Sequence, residues 1–253
     1  MRSSILPAST CIALFSAIPV ISAEGKRGIA YNNPTWAAYF TKNSTQVTWA
    51  YNWAYTGPGL TSSLEFVPML WGIASSNDVG NWQTAALAAK AVLGYNEPDL
   101  NTQANIIPSD AAGNWTTDMN PLAGKVSVGA PAVTNAGNGL LPYAGLGWLD
   151  SFFEGCTSCT VDFIPLHWYA NDTADNFKAY LTEAHERFNK TIWVTEFMLQ
   201  DSADNQIAFL KDVMPWMDQQ SWIGRYAYFG AFEGMLVNGQ GTGLSSIGEA
   251  YIA

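Results

Sequence analysis

The sequence predicts an α/β protein, a single (β/α)8 TIM barrel in which some connections are abbreviated. Eight short segments have strand character, and several are nearly continuous apolar runs, as in parallel strands that are covered on both faces. Segments of helical composition and period separate them. With 253 residues, 48% of them hydrophobic, the chain can bury one sizeable core. Eight strands that alternate with helices close most simply as a barrel.

The elements follow one another along the whole chain. The predicted strands are 27–33, 47–53, 65–71, 91–97, 125–132, 162–169, 192–197 and 226–232. The predicted helices are 82–90, 143–153, 174–188, 203–219 and 245–252, whereas no regular element is predicted over 102–120 or 234–244. Pro58, Gly59 and the segment after Pro68 indicate short second and third connections. A doubly wound sheet is the competing architecture, but the glycine-rich segment 239–243 opens no clear helix and is a poor phosphate loop.

Residues 1–23 are predicted to form a secretory signal peptide, which leaves 24–253 as one domain. Met1-Arg2 is a short basic start, residues 12–20 are mostly apolar, and Ala23 supplies the small residue of a cleavage site. The apolar stretch is too short and too interrupted by proline for a transmembrane helix, and no other apolar run is long enough to span a bilayer. We therefore expect a secreted protein, extracellular or in the cell wall.

Four glycosylation sequons support secretion. Their asparagines are Asn43, Asn114, Asn171 and Asn189. Each lies where the pattern predicts a surface loop or a helix end, so that a glycan can be attached there.

Cys156 and Cys159 are the only cysteines that remain once the signal peptide is removed, and an oxidising compartment favours a disulfide between them. A zinc site would need two more ligands, and His167 and His185 lack metal-ligand spacing. A thioredoxin-like motif is disfavoured because the pair precedes a strand instead of opening a helix after one. We expect no metal and no cofactor.

The charge of the chain disfavours several classes of partner. Removal of Arg2 with the signal peptide takes the formal net charge from −10 to −11. An acidic surface repels the phosphates of nucleic acid and the headgroups of anionic membranes, so we expect neither as a partner. The same negative charge disfavours polyanionic polysaccharides, so neutral glycans are the easier substrates. An equally good explanation of the acidic composition is that it keeps the protein soluble in an acidic extracellular medium.

Two glutamates are the strongest candidates for chemistry, because each closes an apolar strand. Glu97 ends the fourth predicted strand and Glu196 the seventh. Barrel enzymes place catalytic groups at the carboxyl ends of strands. One carboxyl that protonates a departing glycosidic oxygen and another that attacks the anomeric carbon are the requirements for retaining glycoside hydrolysis. The alternative is structural: Glu97 caps a turn with Pro98, and Glu196 pairs with Arg225.

Other candidate binding residues lie on the same strands. Asn96 can hydrogen-bond a sugar 2-hydroxyl next to Glu97. Trp53 and Trp71 end the second and third strands and can stack on pyranose rings, although plain packing is an equal alternative.

The sixth strand contributes three further candidates. His167 and Tyr169 are two positions apart and share one face. Trp168 points the other way unless the strand end splays, so both a cleft role and packing on a helix stay open. Trp193, on the seventh strand, is expected to pack under a helix.

Four motifs together resemble glycoside hydrolase family 128. They are Asn-Glu-Pro at 96–98, Thr-Glu-Phe at 195–197, Arg-Gly-Ile-Ala-Tyr-Asn at 27–32 and Asp-Phe-Ile-Pro-Leu-His-Trp-Tyr at 162–169. The resemblance spans nearly the whole chain after residue 23. It implies a retaining β-1,3-glucanase with Glu97 as acid/base and Glu196 as nucleophile. It also implies that Asn32 and Phe229 line the cleft and that His167 or Tyr169 orients the nucleophile.

The sequence thus predicts a secreted, monomeric endo-β-1,3-glucanase that hydrolyses cell-wall β-1,3-glucan by double displacement. Three alternatives stay open. The enzyme could be exo-acting, it could cut another neutral β-glycan such as mannan or cellulose, or the chain could bind glucan oligosaccharides without cleaving them.

Overall fold

The structure is a computed structural model that describes residues 25–42, 44–61, 63–139 and 143–253. The predicted signal peptide and the sequon residue Asn43 lie outside these ranges. Among the described residues, no helix combines the length and the apolar character that crossing a membrane requires.

The strands of the described residues are all parallel, and they form a ring. Six belong to one sheet in the order β3-β2-β1-β8-β7-β6, and β4 pairs with β5 in a second sheet. Parallel bridges between Met69 and Leu93 and between Gly129 and Phe163 join the two sheets at both seams. The strands are β1 Arg27–Ala30, β2 Val47–Tyr51, β3 Glu65–Phe66, β4 Ala91–Val92, β5 Ser127–Val128, β6 Phe163–Ala170, β7 Thr191–Leu199 and β8 Ile223–Tyr228. The predicted α/β class with a parallel sheet is therefore confirmed.

Helices follow most of the strands. They are α1 Pro34–Lys42, α2 Val79–Leu87, α3 Pro108–Asp118, α4 Gly145–Gly155, α5 Ala174–Phe188, α6 Ala203–Gln219 and α7 Ser246–Ile252, with short 3-10 turns at Asn120–Leu122 and Ala136–Gly139. The predicted bounds of α5 and α6 are confirmed. Both helices carry clear start signals, since Thr173 and Ser202 accept hydrogen bonds from backbone N–H groups three residues ahead.

Several predicted elements differ from those of the structure. The predicted strands 65–71, 91–97 and 125–132 are shorter, as the bounds of β3, β4 and β5 show, and three further differences have local causes. The interval 102–120 contains α3, which begins with Pro108 at its first position but is hard to recognise because Gly113 and two threonines weaken its helical signal. No helix was predicted over α1, whose start depends on the side chain of Asn33 accepting from the Thr35 N–H. The last strand is Ile223–Tyr228 and not 226–232. It begins earlier than predicted because Ile223 and the polar Arg225 already pair with β7.

The interior of the ring is filled by aromatic side chains. Trp193 stacks on Phe163 with ring centroids 4.0 Å apart and lies 5.6 Å from Trp49. The prediction that Trp193 packs under a helix was therefore wrong. Strand β7 shifts register between Val194 and Phe197, and this irregularity turns both Trp193 and Glu196 inward although they are three positions apart. A second, larger core cluster lies between the strands and the helices.

An ion pair and a disulfide add further contacts to the fold. Arg225 forms a two-pronged ion pair with Glu65, at 2.8 and 3.1 Å, and its guanidinium lies 4.6 Å from the centre of the Trp193 ring. Cys156 and Cys159, directly after α4, are joined by a disulfide as predicted.

Candidate active site

The two glutamates lie at the carboxyl end of the ring and are nearly buried, with 7% of Glu97 and 5% of Glu196 exposed. Backbone hydrogen bonds fix the approach to Glu97. The Asn96 N–H donates to Trp71 O at 2.8 Å, and the Glu97 N–H donates to Ala132 O at 2.7 Å. Glu97 itself has φ of 42°, a left-handed conformation that is uncommon outside glycine and concentrates at functional sites.

Three donors hold the carboxylate of Glu196. Trp53 Nε1 donates to Oε1 at 2.8 Å, Tyr51 Oη donates to the same oxygen at 3.1 Å, and Tyr169 Oη donates to Oε2 at 2.5 Å. Burial, followed by the charge of Glu196, raises the pKa of Tyr169, so its hydroxyl remains a donor. Trp53 has φ of 59°, the same left-handed region as Glu97. Two of the four non-glycine residues with positive φ in the described part of the chain therefore lie at this site.

His167 lies between the two carboxylates and is fully buried. Its Nδ1 is 2.8 Å from Glu97 Oε1, and its Nε2 is 3.5 Å from Glu196 Oε1. Burial alone lowers the pKa of His167. The net pKa is nevertheless raised, because burial is outweighed by the charge of Glu196, by the hydrogen bond to Glu97 and by the charges of Glu97 and Asp99. The two glutamates therefore stabilise the protonated form of the imidazole that lies between them.

The carboxylates are close together. One oxygen of Glu97, one oxygen of Glu196 and a ring nitrogen of His167 all lie within 4.8 Å of one another. Three such atoms are near enough to ligate a cation. However, His167 already contacts Glu97, and Tyr51, Trp53 and Tyr169 already donate hydrogen bonds to Glu196. The structural alternative for Glu196 is excluded, since Arg225 pairs with Glu65 instead.

A cavity of about 250 Å³ opens above the pair. Its lining includes five residues that the sequence predicted beside the glutamates, which are Asn32, Trp53, Trp71, Asn96 and Phe229. Tyr169 lies at its wall, with its ring 5.4 Å from that of Phe229. The structure therefore brings these predicted residues together around Glu97 and Glu196.

Three residues of the site were missed. Gln103 lines the cavity and accepts a hydrogen bond from Asn96 Nδ2 at 3.3 Å, while Phe232 lines it and stacks near Trp53 at 5.9 Å. Gln103 lies in a loop and Phe232 after β8, so neither follows from strand periodicity. Tyr51 could have been found, because its side chain alternates onto the same face as that of Trp53.

Trp168 does not line the cavity, and of the two roles that the sequence left open, cleft binding and packing on a helix, the structure supports packing. Its ring stacks 5.6 Å from Phe209 of α6 and 5.1 Å from Phe177 of α5. Strand alternation is maintained at this position, so Trp168 faces the helices while its neighbours His167 and Tyr169 face the site.

The described sequon residues differ in their surroundings. Asn171 is exposed directly after β6, and Asn189 is exposed at the end of α5 with φ of 50°. Asn114 lies inside α3, where its Nδ2 donates to Asp110 O at 2.8 Å. The expectation of a loop or helix end at Asn114 was wrong because α3 was not predicted.

Comparison with known proteins finds relatives over nearly the whole chain. Residues 28–251 match the family described as "Glycosyl hydrolase catalytic core". The chain is 30% identical to Alkali-sensitive linkage protein 1 of Schizosaccharomyces pombe, over 92% of its own length and 45% of that protein's. It therefore spans less than half the length of this curated relative.

Solved structures of glycoside hydrolase family 128 share the fold. A curdlan-specific exo-β-1,3-glucanase of subgroup III from Blastomyces gilchristii, in complex with glucose, is 37% identical with a TM-score of 0.82, and 91% of this chain and 99% of that one are covered. An endo-β-1,3-glucanase of subgroup IV from Lentinula edodes is 28% identical with a TM-score of 0.76, covering 90% and 100%. A mutant endo-β-1,3-glucanase of subgroup I from Amycolatopsis mediterranei, in complex with laminarihexaose, is 30% identical with a TM-score of 0.76, covering 90% and 98%. The chain belongs to glycoside hydrolase family 128.

Proposed function

We propose that the chain is a retaining β-1,3-glucanase. The observation that carries the mechanism is the closeness of the two buried glutamates, which have a pair of oxygens within 4.8 Å of each other. Retaining glycosidases place their carboxyls about 5 to 5.5 Å apart, whereas inverting enzymes need about 6.5 to 9.5 Å to admit a water molecule. Membership of family 128 supports β-1,3-glucan as the substrate.

Glu196 acts as the nucleophile in this proposal, and Glu97 acts as acid and then base. Glu196 attacks the anomeric carbon while Glu97 transfers its proton to the departing glycosidic oxygen, and the product is a glycosyl ester on Glu196. Glu97 then takes a proton from water, which attacks the same carbon and releases Glu196 as a carboxylate.

The surrounding groups suit these roles. Tyr51, Trp53 and Tyr169 hold both oxygens of Glu196, so the carboxylate is oriented before substrate binds. His167 Nδ1 binds Oε1 of Glu97. This contact leaves the other carboxyl oxygen to exchange the proton with substrate.

The cavity lining suits a neutral sugar. Trp53 and Trp71 provide apolar surface for the axial C–H groups of a pyranose, and we propose that Asn32 and Phe229, which line the same cavity, also contact the sugar. Asn96 Oδ1 is buried without a hydrogen-bond partner among the described residues, so a sugar hydroxyl can satisfy it.

We also propose that the enzyme is secreted to the extracellular space or cell wall. It would have a signal peptide at 1–23, a monomeric catalytic domain at 24–253, and glycans at exposed sequons. Asn171 and Asn189 are the described asparagines whose exposure supports attachment of a glycan.

The mode of cleavage has two candidates. Endo action is the prediction from the sequence, and the relatives from Lentinula edodes and Amycolatopsis mediterranei are endo-acting. Exo action is favoured by a separate observation, because the exo-acting Blastomyces gilchristii enzyme has higher identity to this chain and a higher TM-score than those two.

Product analysis tests both the function and the mode. The purified chain is incubated with laminarin, curdlan, mannan and cellulose, and the lengths of soluble products are followed over time. Endo action yields a ladder of intermediate lengths, whereas exo action yields one short product from the start. Cleavage of mannan or cellulose without cleavage of laminarin or curdlan would contradict the proposed preference for β-1,3 linkages. Binding of these glucans without any soluble product would contradict hydrolysis. Glu196→Gln serves as the inactive control.

A further inference from the structure

A cavity on the helical face of the barrel, between α4 and the end of α5, has no part in the proposed hydrolysis. Its volume is about 500 Å³, and it shares no described lining residue with the catalytic cavity. We name it the α4–α5 cavity. It is lined by Asp150, Phe153 and Glu154 of α4, by Arg187 and Phe188 of α5, and by Lys190.

Two phenylalanine rings form the apolar part of this cavity. The rings of Phe153 and Phe188 lie 5.6 Å apart, and both side chains are only partly buried. The guanidinium of Arg187 lies 6.0 Å from the centre of the Phe188 ring. Arg187 is itself held by an ion pair to Asp150 of α4 and by another, at 3.3 Å, to Glu183. The aromatic surface is therefore fixed between two helices and remains open to solvent.

The sequon that begins at Asn189 lies at the rim of this cavity. Its neighbours on both sides, Phe188 and Lys190, line the cavity, and Asn189 itself is exposed. With φ of 50°, Asn189 ends α5 and turns the chain towards β7. A sugar attached to this asparagine therefore begins beside the cavity.

The groups in this space match the N-acetylglucosamine that begins an N-linked glycan. A pyranose has C–H groups on its ring faces, which pack on phenylalanine, and it has polar groups around its edge. Lys190 Nζ donates to Val161 O at 2.7 Å and carries further N–H donors, while the exposed Glu154 is an acceptor. Apolar and polar partners for one sugar therefore lie together.

We propose that the first N-acetylglucosamine of a glycan on Asn189 packs in the α4–α5 cavity, against Phe153 and Phe188, and stabilises the fold. This proposal rests on the secretion and glycosylation proposed above. The glycan comes from a lipid-linked oligosaccharyl diphosphate. A bond forms between Asn189 Nδ2 and the anomeric carbon, the bond to the diphosphate breaks, and the amide loses a proton.

Covalent attachment identifies the occupant of the cavity. A tethered sugar is present beside the cavity at a far higher effective concentration than a free ligand. Asn171 provides the comparison, because it is also an exposed sequon residue but neither it nor its chain neighbours are among the described residues that line this cavity. A glycan on Asn171 therefore lacks these contacts.

The test compares the thermal stability of glycosylated and bare protein. The chain is secreted from yeast and also produced in a bacterial periplasm, which attaches no such glycan, and glycopeptide mass spectrometry measures occupancy of Asn189. Thr191→Ala removes the sequon but keeps the asparagine that tolerates the left-handed turn. It should lower the Tm of the yeast protein by about 2 to 4 °C more than that of the bacterial protein. Asn171→Gln is the control and should change both Tm values equally.

Trimming of the glycan locates the stabilising sugar. Endoglycosidase H shortens yeast glycans to a single N-acetylglucosamine, and the trimmed wild-type protein should keep its full Tm. Phe153→Ala removes one wall of the cavity. In that background, Thr191→Ala should affect the yeast and bacterial proteins equally, because the sugar has lost its contact.

Three results would overturn the proposal. They are secretion with a glycan on Asn171 but none on Asn189, an equal effect of Thr191→Ala on the yeast and bacterial proteins, and loss of the added stability on trimming. Hydrolysis of laminarin should be unchanged by Thr191→Ala. Absence of hydrolysis by the wild-type chain would overturn the glucanase function but leave the stability comparison intact.

Discussion

Substitution of Tyr169 by phenylalanine tests whether Glu196 must be held in place to react. The Tyr169 hydroxyl makes the shortest of the three hydrogen bonds to this carboxylate, 2.5 Å to Oε2. The ring packs 5.4 Å from Phe229, and phenylalanine preserves that contact. Tyr169→Phe therefore removes one donor and little else.

The magnitude follows from the kind of bond that is lost. A hydrogen bond to a charged group contributes about 1.5 to 3 kcal/mol, and Glu196 is only 5% exposed, so water replaces the donor poorly. If that energy orients the nucleophile in the transition state, kcat/KM should fall by about tenfold to about 150-fold. Because the pKa of Tyr169 is raised by burial and by Glu196, the loss should be independent of pH in any ordinary assay.

The assay is the initial rate of laminarihexaose hydrolysis at several pH values, with thermal unfolding as the control for folding. Tyr143→Phe is the matched variant, because Tyr143 is 68% exposed and does not line the cavity. A Tyr169→Phe enzyme that retains at least half of the wild-type kcat/KM would refute the orientation argument. A loss of the same size in Tyr143→Phe would refute it as well.

Three further predictions concern the acid, the barrel interior and pH. Glu97→Gln should slow laminarin hydrolysis by about 10²- to 10⁴-fold but spare the first step on an aryl glycoside whose leaving group needs no proton, as a burst of released phenol would show. Gly28→Ala places a Cβ 2.1 Å from the ring of Trp49 and should destabilise the fold by about 1 to 3 kcal/mol in chemical denaturation, whereas Gly113→Ala, which meets nothing within 4 Å, should not. The raised pKa of His167 stabilises the fold below the ordinary histidine value of about 6.5 and ceases to do so as pH rises through the raised value. The Tm advantage of wild type over His167→Gln should therefore shrink from pH 6 to pH 9, and an advantage that grows with pH would contradict this assignment.

The sequence singles out Glu97 and Glu196 as a candidate catalytic pair because the ends of apolar strands can be recognised from sequence alone. Glu97 and Glu196 each close an apolar run, and a parallel ring brings such ends to one face without any knowledge of side-chain geometry. Alternation likewise separated His167 and Tyr169 from Trp168, although it left the role of Trp168 open until its contacts with α5 and α6 were seen.

The parts that could not be predicted depend on local irregularity and on loops. The register shift in β7 turns Glu196 and Trp193 to the same side, which strict alternation forbids. Gln103 reaches the cavity from a loop, and α3 begins at a proline that equally fits a turn. The hydrogen bonds on Glu196 and the closeness of His167 to both acids arise only when distant strands meet.

The configuration of the first product tests the central claim most directly. Proton NMR of the anomeric region during early hydrolysis of laminarihexaose distinguishes the two mechanisms before mutarotation mixes the anomers. Two carboxylates with oxygens within 4.8 Å predict that the β-anomer appears first. Initial appearance of the α-anomer would contradict double displacement through Glu196.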